Sequence, residues 1–225
     1  MKLDLHVHTS EVSGCGKVPA AEMVRLYHEA GYDAIVITDH LIAGKNAEMP
    51  MDERADWYLS GYRAAKAEGE RLGLTVILGA ELRFDCGHED YLLYGITEAD
   101  IAPIMRDLDG GILPGDFYRR IRENGRMTLI QAHPFRPELR QAPLDELDGI
   151  EVYNGNPRHD SHNDAARLFA ERHHLKMLSG SDSHRPEDIA HGGILTPDWV
   201  RSSSALVRFL RETPHPHMII DGTEF

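Results

Sequence analysis

The amino-acid sequence predicts an α/β fold in which a largely parallel sheet is built from repeated strand–helix units. Short apolar runs rich in β-branched residues alternate with helical patterns along most of the chain. The chain has 225 residues, of which 41% are hydrophobic and 27% are charged, and this composition favours one folded domain over residues 1–225. So many strand–helix units in a chain of this length favour a barrel or a doubly wound sheet.

The predicted strands are short apolar segments that precede a helical pattern or a turn. They cover residues 2–7, 34–38, 74–78, 128–132, 150–153 and 176–178. A further run at 91–94 follows Glu81 closely enough to predict a hairpin inserted between strand–helix units. Residues 218–220 could add a last strand.

The predicted helices have one apolar face and recognisable ends. In the first helix, apolar residues recur at the i, i+3, i+4 and i+7 spacing between Pro19 and Gly31. A second helix is predicted over 52–72, with Gly73 as its stop. Others are predicted over 116–124, 161–173 with Ser161 as the N-cap, and 202–211.

Charge, hydropathy and cysteine content narrow the classes of function. The 24 Lys and Arg residues against 37 Asp and Glu residues give a net charge of −13, which disfavours nucleic acid as a partner without excluding it. Because no apolar run approaches the roughly 20 residues needed to span a bilayer, we expect no membrane segment. The start of the chain lacks the apolar stretch of a signal peptide, and two cysteines are too few for a disulfide framework, so we expect a cytoplasmic protein.

Possible metal ligands follow nearly every predicted strand. In parallel α/β folds, the reacting groups gather beyond the carboxyl ends of the strands. In chain order these residues are His6 and His8, Asp39 and His40, Glu81, His133, Glu151 and Asn154, and Asp182 and His184. A single histidine in such a place is more often a packed side chain, but the repetition at equivalent positions predicts a shared metal site.

The spacing within two of these motifs supports a metal site. His6 and His8 stand at i and i+2, which on a strand places both imidazoles on one face, roughly 6 to 7 Å apart. Asp182 and His184 repeat this spacing after a later strand. A set of carboxylate oxygens and imidazole nitrogens suits Zn²⁺, Mn²⁺ or Fe²⁺ better than Ca²⁺.

The order of these motifs resembles the PHP (polymerase and histidinol phosphatase) superfamily of metal-dependent phosphoesterases. The resemblance spans residues 1 to about 195 and rests on His6-x-His8, Thr38-Asp39-His40, Glu81, His133-Pro134 and Gly180-Ser181-Asp182-Ser183-His184. It implies a distorted (β/α)7 TIM-like barrel, in a single domain, with two or three divalent metal ions at its carboxyl end. Position by position, it implies one metal on His6, His8, Glu81 and Asp182, a second on Glu81 and His133, and a third on His40 and His184.

The sequence departs from the common family pattern at two positions. Shortly after His-x-His the family often has Asp or His, and here Cys15 could fill that place as a thiolate, which would favour Zn²⁺. Before the strand at 92–95 the family commonly has a metal-binding His. The best register puts Asp90 there, with His88 as the alternative.

From this resemblance we expect hydrolysis of small phosphomonoesters or phosphodiesters by a metal-activated water. Catalytic roles are expected for Glu81, Asp182 and His184, with Asp39 orienting a histidine or a water. Arg136 and Arg158 are the candidates for binding the phosphate of a small phosphorylated substrate as bidentate partners. Weaker candidates near the same mouth are Lys17, Lys45, Arg83 and Arg185.

Three other functions remain open at the level of sequence. They are a PHP-type nuclease, an amidohydrolase-like hydrolase and a non-catalytic binding domain that the metal stabilises. An amidohydrolase would usually add a catalytic lysine at a strand end, and none is found there. Specificity is expected from the loops at 41–51, 106–115 and 136–144, whose shapes do not follow from spacing, so the substrate, the native metal and the oligomeric state stay undetermined.

Overall fold

The computed structural model describes residues 1–224 as a mixed α/β fold with twelve strands and six α-helices. The strands are β1 (Lys2–Val7), β2 (Ala34–Ile37), β3 (His40–Ile42), β4 (Thr75–Leu78), β5 (Ala80–Arg83), β6 (Asp90–Tyr94), β7 (Thr128–Gln131), β8 (Gly149–Asn154), β9 (Lys176–Gly180), β10 (Gly192–Leu195), β11 (Met218–Ile220) and β12 (Thr223–Glu224). The helices are α1 (Ala20–Glu29), α2 (Met51–Leu72), α3 (Glu98–Asp109), α4 (Pro114–Asn124), α5 (Asn163–His173) and α6 (Ser203–Glu212), with a short 3₁₀ helix at Pro186–Asp188.

The strands form two six-stranded sheets. At one side, two strands of the first sheet continue along the chain into two strands of the second. The first sheet has the order β12-β11-β10-β1-β2-β4 and the second has the order β3-β5-β6-β7-β8-β9. The parallel pair β2 and β4 runs on, after short breaks, into the parallel pair β3 and β5 of the second sheet. At the other side, a bridge between Val7 and Ser183 joins the end of β1 to the segment after β9.

The predicted parallel sheet is confirmed in part. Parallel pairing joins β1 to β2, β2 to β4, β7 to β8 and β8 to β9. The predicted hairpin is confirmed, because β6 pairs antiparallel with both β5 and β7. Neither sheet closes on itself within residues 1–224, so the TIM-like barrel that the resemblance implies is not confirmed.

The interior is filled by apolar side chains from the strands and from the helices that cover them. One cluster packs Leu5 of β1, Val36 of β2 and Leu178 of β9 together, and each of these side chains is almost fully buried. Full burial of a side chain of this size stabilises a fold by about 1.5–3 kcal/mol. The same packing brings the carboxyl ends of the first and last parallel strands close together, which is where the polar residues gather.

Two local predictions are wrong. Ser161 does not cap α5, because His162 is the residue that precedes the helix and the Ser161 hydroxyl instead accepts a hydrogen bond from Arg136 Nε at 3.1 Å. The predicted loop at 106–115 is shorter than expected. Its first residues belong to α3, for which no helix was predicted, and its last residues begin α4.

Helix α2 is the longest helix and was predicted within one residue of its observed start. It carries charged residues along its length and ends at Gly73, whose φ of 79° is the left-handed conformation that glycine favours. In residues 1–224, no helix has both the length and the apolar character that crossing a membrane requires.

Candidate metal centre

Four buried side chains from distant parts of the chain meet around the carboxyl end of β1, the start of β5 and the segment that follows β9. His6 Nε2 lies 3.3 Å from Glu81 Oε1 and 3.4 Å from Asp182 Oδ1. His8 Nε2 lies 3.3 Å from Glu81 Oε2 and 3.3 Å from the same Asp182 oxygen. The two histidines of the i, i+2 motif therefore face the same pair of carboxylates, as their spacing predicts.

Glu81 lies at the middle of the cluster. Its Oε2 is 2.8 Å from His40 Nδ1, and its Oε1 is 3.1 Å from His133 Nε2. The parallel register of β3 and β5 pairs His40 with Glu81, which explains why these two side chains meet. Both oxygens of one carboxylate thus face imidazole nitrogens on different sides, an arrangement that suits a ligand shared by two ions.

His184 and Asp90 complete the cluster at its edges. The His184 ring stacks on His8 with ring centroids 4.2 Å apart, and its Nδ1 lies 2.9 Å from the backbone oxygen of Asp182. Asp90 Oδ2 lies 3.9 Å from His133 Nε2 and is paired with Arg83, whose Nε and Nη2 are 2.7 and 2.6 Å from the two carboxylate oxygens. Asp90 therefore reaches the cluster from the hairpin that the sequence predicted.

Two of the clustered residues have unusual backbone conformations. Asp182 has a φ of 54° and His133 has a φ of 30°, both in the left-handed region that non-glycine residues rarely adopt. Such conformations cost about 1–3 kcal/mol each and persist where the surrounding structure holds them. Here the Asp182 carbonyl accepts a hydrogen bond from Asn156 Nδ2 at 3.0 Å, and the His133 amide donates to Glu151 Oε2 at 3.0 Å.

The cluster fits divalent metal ions. Four groups of three side chains hold their ligand atoms within 4.8 Å of one another: His8, His40 and His184; His6, His8 and Glu81; His6, His133 and Asp182; and His40, Glu81 and Asp90. Within the part of the chain that the structure describes, His6 Nε2 and His8 Nε2 are buried without a hydrogen-bond partner, and His40 Nδ1 and Glu81 Oε2, although 2.8 Å apart, are not in hydrogen-bond geometry either. An unpaired buried polar atom costs about 1–3 kcal/mol, so the cluster favours a further partner at its centre.

The electrostatics of the cluster also suit a cation. Although burial opposes the charged form, the carboxylates of Asp182, Glu151 and Glu81 raise the pKa of His6 well above its usual value. Burial likewise opposes ionisation of Glu81, yet the charges of His40 and His6 hold its pKa well below the usual range. The pKa of Asp182 is lowered in the same way, against burial, by His6 and Arg136. Buried carboxylates kept ionised in this manner can balance the charge of divalent ions.

Cys15 lies at the edge of the cluster and belongs to none of the four groups found among the described residues. Against the effect of partial burial, hydrogen bonds with His184 and His40 lower the pKa of its thiol to about 5. The thiol therefore faces the same two histidines that the resemblance assigns to a third metal.

A cavity of about 470 Å³ opens directly above the cluster. It is lined by ligand candidates and by cationic side chains, the latter being Lys17, Arg83, Arg136, Arg158 and Arg185. Arg136 forms an ion pair with Asp182 and donates to Asn154 Oδ1 at 2.9 Å. Arg158 forms an ion pair with the buried Asp188. Both predicted phosphate ligands thus have fixed guanidinium groups at the wall of the cavity.

Three candidates from the sequence lie away from the cavity. His88 borders a separate surface cavity with Asp85 and Cys86, so the hairpin presents Asp90 and not His88 to the cluster. Lys45 is directed to the backbone oxygen of Val12, at 2.9 Å. Asp39 is buried beneath the cluster and contacts no ligand ring directly, since its oxygens accept hydrogen bonds from Thr9 and Ser13.

Sequence reasoning missed the roles of two buried carboxylates. It placed Glu151 among the possible metal ligands at strand ends, whereas Glu151 Oε1 lies 2.9 Å from His6 Nδ1, on the side of that ring away from Glu81. It gave no role to Asp4, whose carboxylate accepts hydrogen bonds from the amides of His6 and Ser181 at 3.1 and 3.0 Å and from the hydroxyl of Tyr27 at 2.7 Å. Burial raises the pKa of Asp4 to about 6. The signal available in the sequence was an acidic residue, Asp4, in the middle of a predicted apolar strand.

Comparison with known proteins gives a family and a set of similar folds. The sequence model of the PHP domain matches residues 4–208, which is most of the chain. No curated protein matches the sequence.

Several solved structures share the fold. A two-domain protein from Bacteroides vulgatus ATCC 8482 that contains a predicted PHP-like metal-dependent phosphoesterase has a TM-score of 0.64 and 19% identity; the match covers 100% of this chain and 66% of that one, which is less than two thirds of its length. PsfC from Pseudomonas syringae PB-5123 has a TM-score of 0.62 and 20% identity, covering 92% of this chain and 87% of that one. An amidohydrolase from Chromobacterium violaceum, with bound sulfate and no metal, has a TM-score of 0.53 and 18% identity, covering 88% and 93%.

Proposed function

Because the chain belongs to the PHP domain family, we propose that it hydrolyses phosphate esters of small molecules with the help of divalent metal ions. The observation that carries this proposal is the meeting of His6, His8, Glu81 and Asp182, with unpaired ligand atoms, under a cavity walled by arginines. Ligand atoms and cationic groups on one cavity are what a metal-dependent phosphoesterase requires.

We assign the ligands to two or three ions of Zn²⁺, Mn²⁺ or Fe²⁺. His6, His8, Glu81 and Asp182 would hold the first ion, and Glu81, His133 and Asp90 the second. His40 and His184 would hold a third, with Cys15 as a further ligand. When bound, such ions lower the pKa of a water molecule and neutralise negative charge on phosphate oxygens. The Nδ1 of His184 faces the Asp182 carbonyl, so its Nε2 is the atom left for a metal.

Arg136 and Arg158 would bind the phosphate. Arg136 is held by Asn154, Ser161 and Asp182, so little side-chain freedom remains to be lost when an anion binds. The guanidinium of Arg158 is held by its ion pair with Asp188. A cavity of about 470 Å³ lies within the range of about 300–1,000 Å³ that is usual for small-molecule sites. We therefore expect a small phosphorylated metabolite rather than a polymer.

We further propose that the strands make up the distorted (β/α)7 TIM-like barrel of the family, within one domain over residues 1–225. The continuation of β2 into β3 and of β4 into β5 links the two sheets at one side. The bridge between Val7 and Ser183 links them at the other side. Closure in this manner would place all ligand-bearing strand ends at one rim.

Phosphate release from p-nitrophenyl phosphate tests the proposed reaction. Protein stripped of metal with a chelator should be inactive and should regain activity with Zn²⁺, Mn²⁺ or Fe²⁺. His8→Ala and Asp182→Ala should abolish that activity while the protein stays folded by circular dichroism. His28→Ala, which changes an exposed histidine of α1, is the matched control and should keep full activity.

The same assay separates the other functions. Full activity in His8→Ala or Asp182→Ala would contradict the assignment. Cleavage of single-stranded DNA in preference to small esters would favour a nuclease, and cleavage of amide substrates would favour an amidohydrolase. Tight metal binding without any hydrolysis would favour a domain in which the metal only stabilises the fold.

A further inference from the structure

Glu151 and Asp39 are buried carboxylates beneath the candidate metal centre, and neither is among the residues that line the cavity. Each is connected by hydrogen bonds to one histidine of the His6-x-His8 motif. We propose that Glu151 is a positioning residue that keeps a proton on His6 Nδ1 and so directs the Nε2 lone pair to the metal. Ser13, held by Asp39, does the same for His8. The inference rests on the metal binding proposed above but not on the hydrolysis.

Glu151 contacts His6 through one oxygen and two fixed donors through the other. Its Oε1 is 2.9 Å from His6 Nδ1, while its Oε2 accepts hydrogen bonds from the His133 amide at 3.0 Å and from Asn154 Nδ2 at 2.9 Å. An ionised carboxylate only accepts hydrogen bonds, so the Nδ1 of His6 is the donor. In the neutral ring that would bind a metal, the nitrogen without a proton is then Nε2, the atom that lies 3.3 Å from Glu81.

At His8 the hydrogen bonds run in the same direction, but the Ser13 hydroxyl lies between the carboxylate of Asp39 and the ring. The Ser13 hydroxyl donates to Asp39 Oδ1 at 2.7 Å, so its oxygen is left as an acceptor. That oxygen lies 3.1 Å from His8 Nδ1 and accepts the amide of His40 at 3.1 Å. His8 Nδ1 is therefore also a donor, and its Nε2 also faces the metal centre. Each network thus orders one ligand ring and the backbone of another ligand.

Glycines make room for both networks. A Cβ atom on Gly180 would lie 2.8 Å from Glu151 Oε1 and 2.6 Å from His6 Cβ. A Cβ atom on Gly61 of α2 would lie 2.2 Å from Thr9 Oγ1 and 3.0 Å from Asp39 Oδ2. Both carboxylates therefore occupy places that any larger residue at these two positions would disturb.

Replacing Glu151 by glutamine should reverse the hydrogen bond at His6. The amide of His133 cannot accept, and Asn154 is turned by Arg136, which donates to its Oδ1. Both groups therefore require an oxygen at the Oε2 position, which leaves the glutamine NH₂ facing His6 Nδ1. His6 must then accept at Nδ1 and carry its proton on Nε2, where that proton blocks the metal.

Asp39→Asn is the matched comparison, because it removes the same charge without reversing a hydrogen bond at His8. The Thr9 amide, at 2.7 Å, and the Ser13 hydroxyl both donate to Asp39 Oδ1. The asparagine oxygen keeps that place, and its NH₂ faces the Thr9 hydroxyl, which can accept. Ser13 and His8 then keep their arrangement. Loss of charge alone would weaken metal binding similarly in both variants, whereas loss of the correct tautomer would weaken it only in Glu151→Gln.

The experiment is a titration of the metal-free protein with Zn²⁺ against a competing chelator, and thermal unfolding without metal serves as the test of folding. Glu151→Gln and Ser13→Ala should each lower the Zn²⁺ affinity by about 10- to 100-fold, the usual effect of losing the partner of a ligating histidine. Asp39→Asn should lower the affinity severalfold less than either. Equal losses in Glu151→Gln and Asp39→Asn, or an unchanged affinity in Glu151→Gln, would overturn the inference.

A second measurement needs no variant. In zinc-loaded protein with ¹⁵N-labelled histidine, nuclear magnetic resonance should show a proton on Nδ1 of both His6 and His8, and protons on Nε2 would overturn the inference. Zinc binding without ester hydrolysis would refute only the proposed reaction. If the wild-type protein bound no metal, both proposals would fail.

Discussion

At the scale of single residues, the hydrogen bonds of a buried carboxylate distinguish a candidate ligand from a candidate positioning group. Both oxygens of Asp39 accept hydrogen bonds, Oδ1 from the Thr9 amide and the Ser13 hydroxyl and Oδ2 from the Thr9 hydroxyl. Glu81 is as deeply buried, but its Oε2 has no hydrogen-bond partner within residues 1–224 and faces His8 and His40. The two residues are both acidic and both follow a strand, and only the structure separates their roles.

Arg158 provides a prediction at this scale. Arg158→Ala should raise the KM for p-nitrophenyl phosphate about 10- to 100-fold, because a hydrogen bond to a charged group contributes about 1.5–3 kcal/mol. Arg167→Ala, at an exposed residue of α5 paired with Asp164, is the control and should leave KM unchanged. Steady-state kinetics at a verified metal content measure both. An unchanged KM in Arg158→Ala would show that its guanidinium serves only Asp188.

At the scale of elements, α2 contains a glycine that ordinary helix propensity disfavours. Glycine inside a helix usually costs about 0.5–1 kcal/mol relative to alanine. At Gly61, however, a Cβ atom would approach Thr9 Oγ1 to 2.2 Å. Thr9 is itself held by two hydrogen bonds to Asp39, so it cannot move aside freely. The helix therefore gives up some intrinsic stability in order to lie against the network beneath the candidate metal centre.

Gly61→Ala should consequently destabilise the protein, by about 1–3 kcal/mol as is usual for overpacking. Urea unfolding of the metal-free protein gives the measurement. Gly115→Ala in α4 is the control, because the nearest atom to its Cβ, also at 2.2 Å, belongs to the flexible carboxylate of Glu146. That variant should be neutral or slightly stabilised. Stabilisation of Gly61→Ala would contradict the packing argument.

Prediction from the sequence succeeded for elements whose own residues show a pattern, such as an apolar run or a glycine at a helix end. Apolar runs located β1, β2, β4, β7, β8 and β9, and glycine stops located the ends of α1 and α2. Strands β3 and β5 went unrecognised because they follow immediately after other strands and include the candidate ligands His40 and Glu81. Helix α3 was missed, and Pro103 interrupts its pattern.

The candidate ligands were predicted because they follow strands and, in two motifs, stand at i and i+2. The contacts that hold these side chains in place were not predicted. The contact between His6 and Glu151 joins residues 145 positions apart. Whether Glu151 or Glu81 presents its oxygens to the cavity depends on sheet register and on the glycines that allow close approach, and a single sequence does not encode either in a local pattern.

At the scale of the whole molecule, the chain is acidic, but lysine and arginine side chains are concentrated around the cavity. The net charge is −13, yet the cavity above the candidate metal centre is lined by five lysine and arginine side chains. Beneath it lie the carboxylates of Glu81, Asp90 and Asp182, which metal ions would neutralise. The acidic remainder of the surface disfavours polyanions, while the cavity favours a compact anion.

Metal binding should also stabilise the fold. An ion that binds only the folded state at 100 times its Kd adds about 2.7 kcal/mol, which for a chain of this size raises Tm by about 5–10 °C. Differential scanning fluorimetry with and without Zn²⁺ should show this rise in the wild type and not in a His6→Ala, His8→Ala double variant. An equal rise in that double variant would place the stabilising ion elsewhere.

The bridge between Val7 and Ser183 has a consequence for synthesis of the chain. The ribosome adds His6 and His8 long before Asp182 and His184, which lie at the other side of this bridge. A nascent chain that ends before residue 182 therefore carries the two imidazoles without the late carboxylate of their proposed ligand set. If ions bind as we propose, the ligand set of His6, His8, Glu81 and Asp182 is complete only once the chain has been made through residue 182.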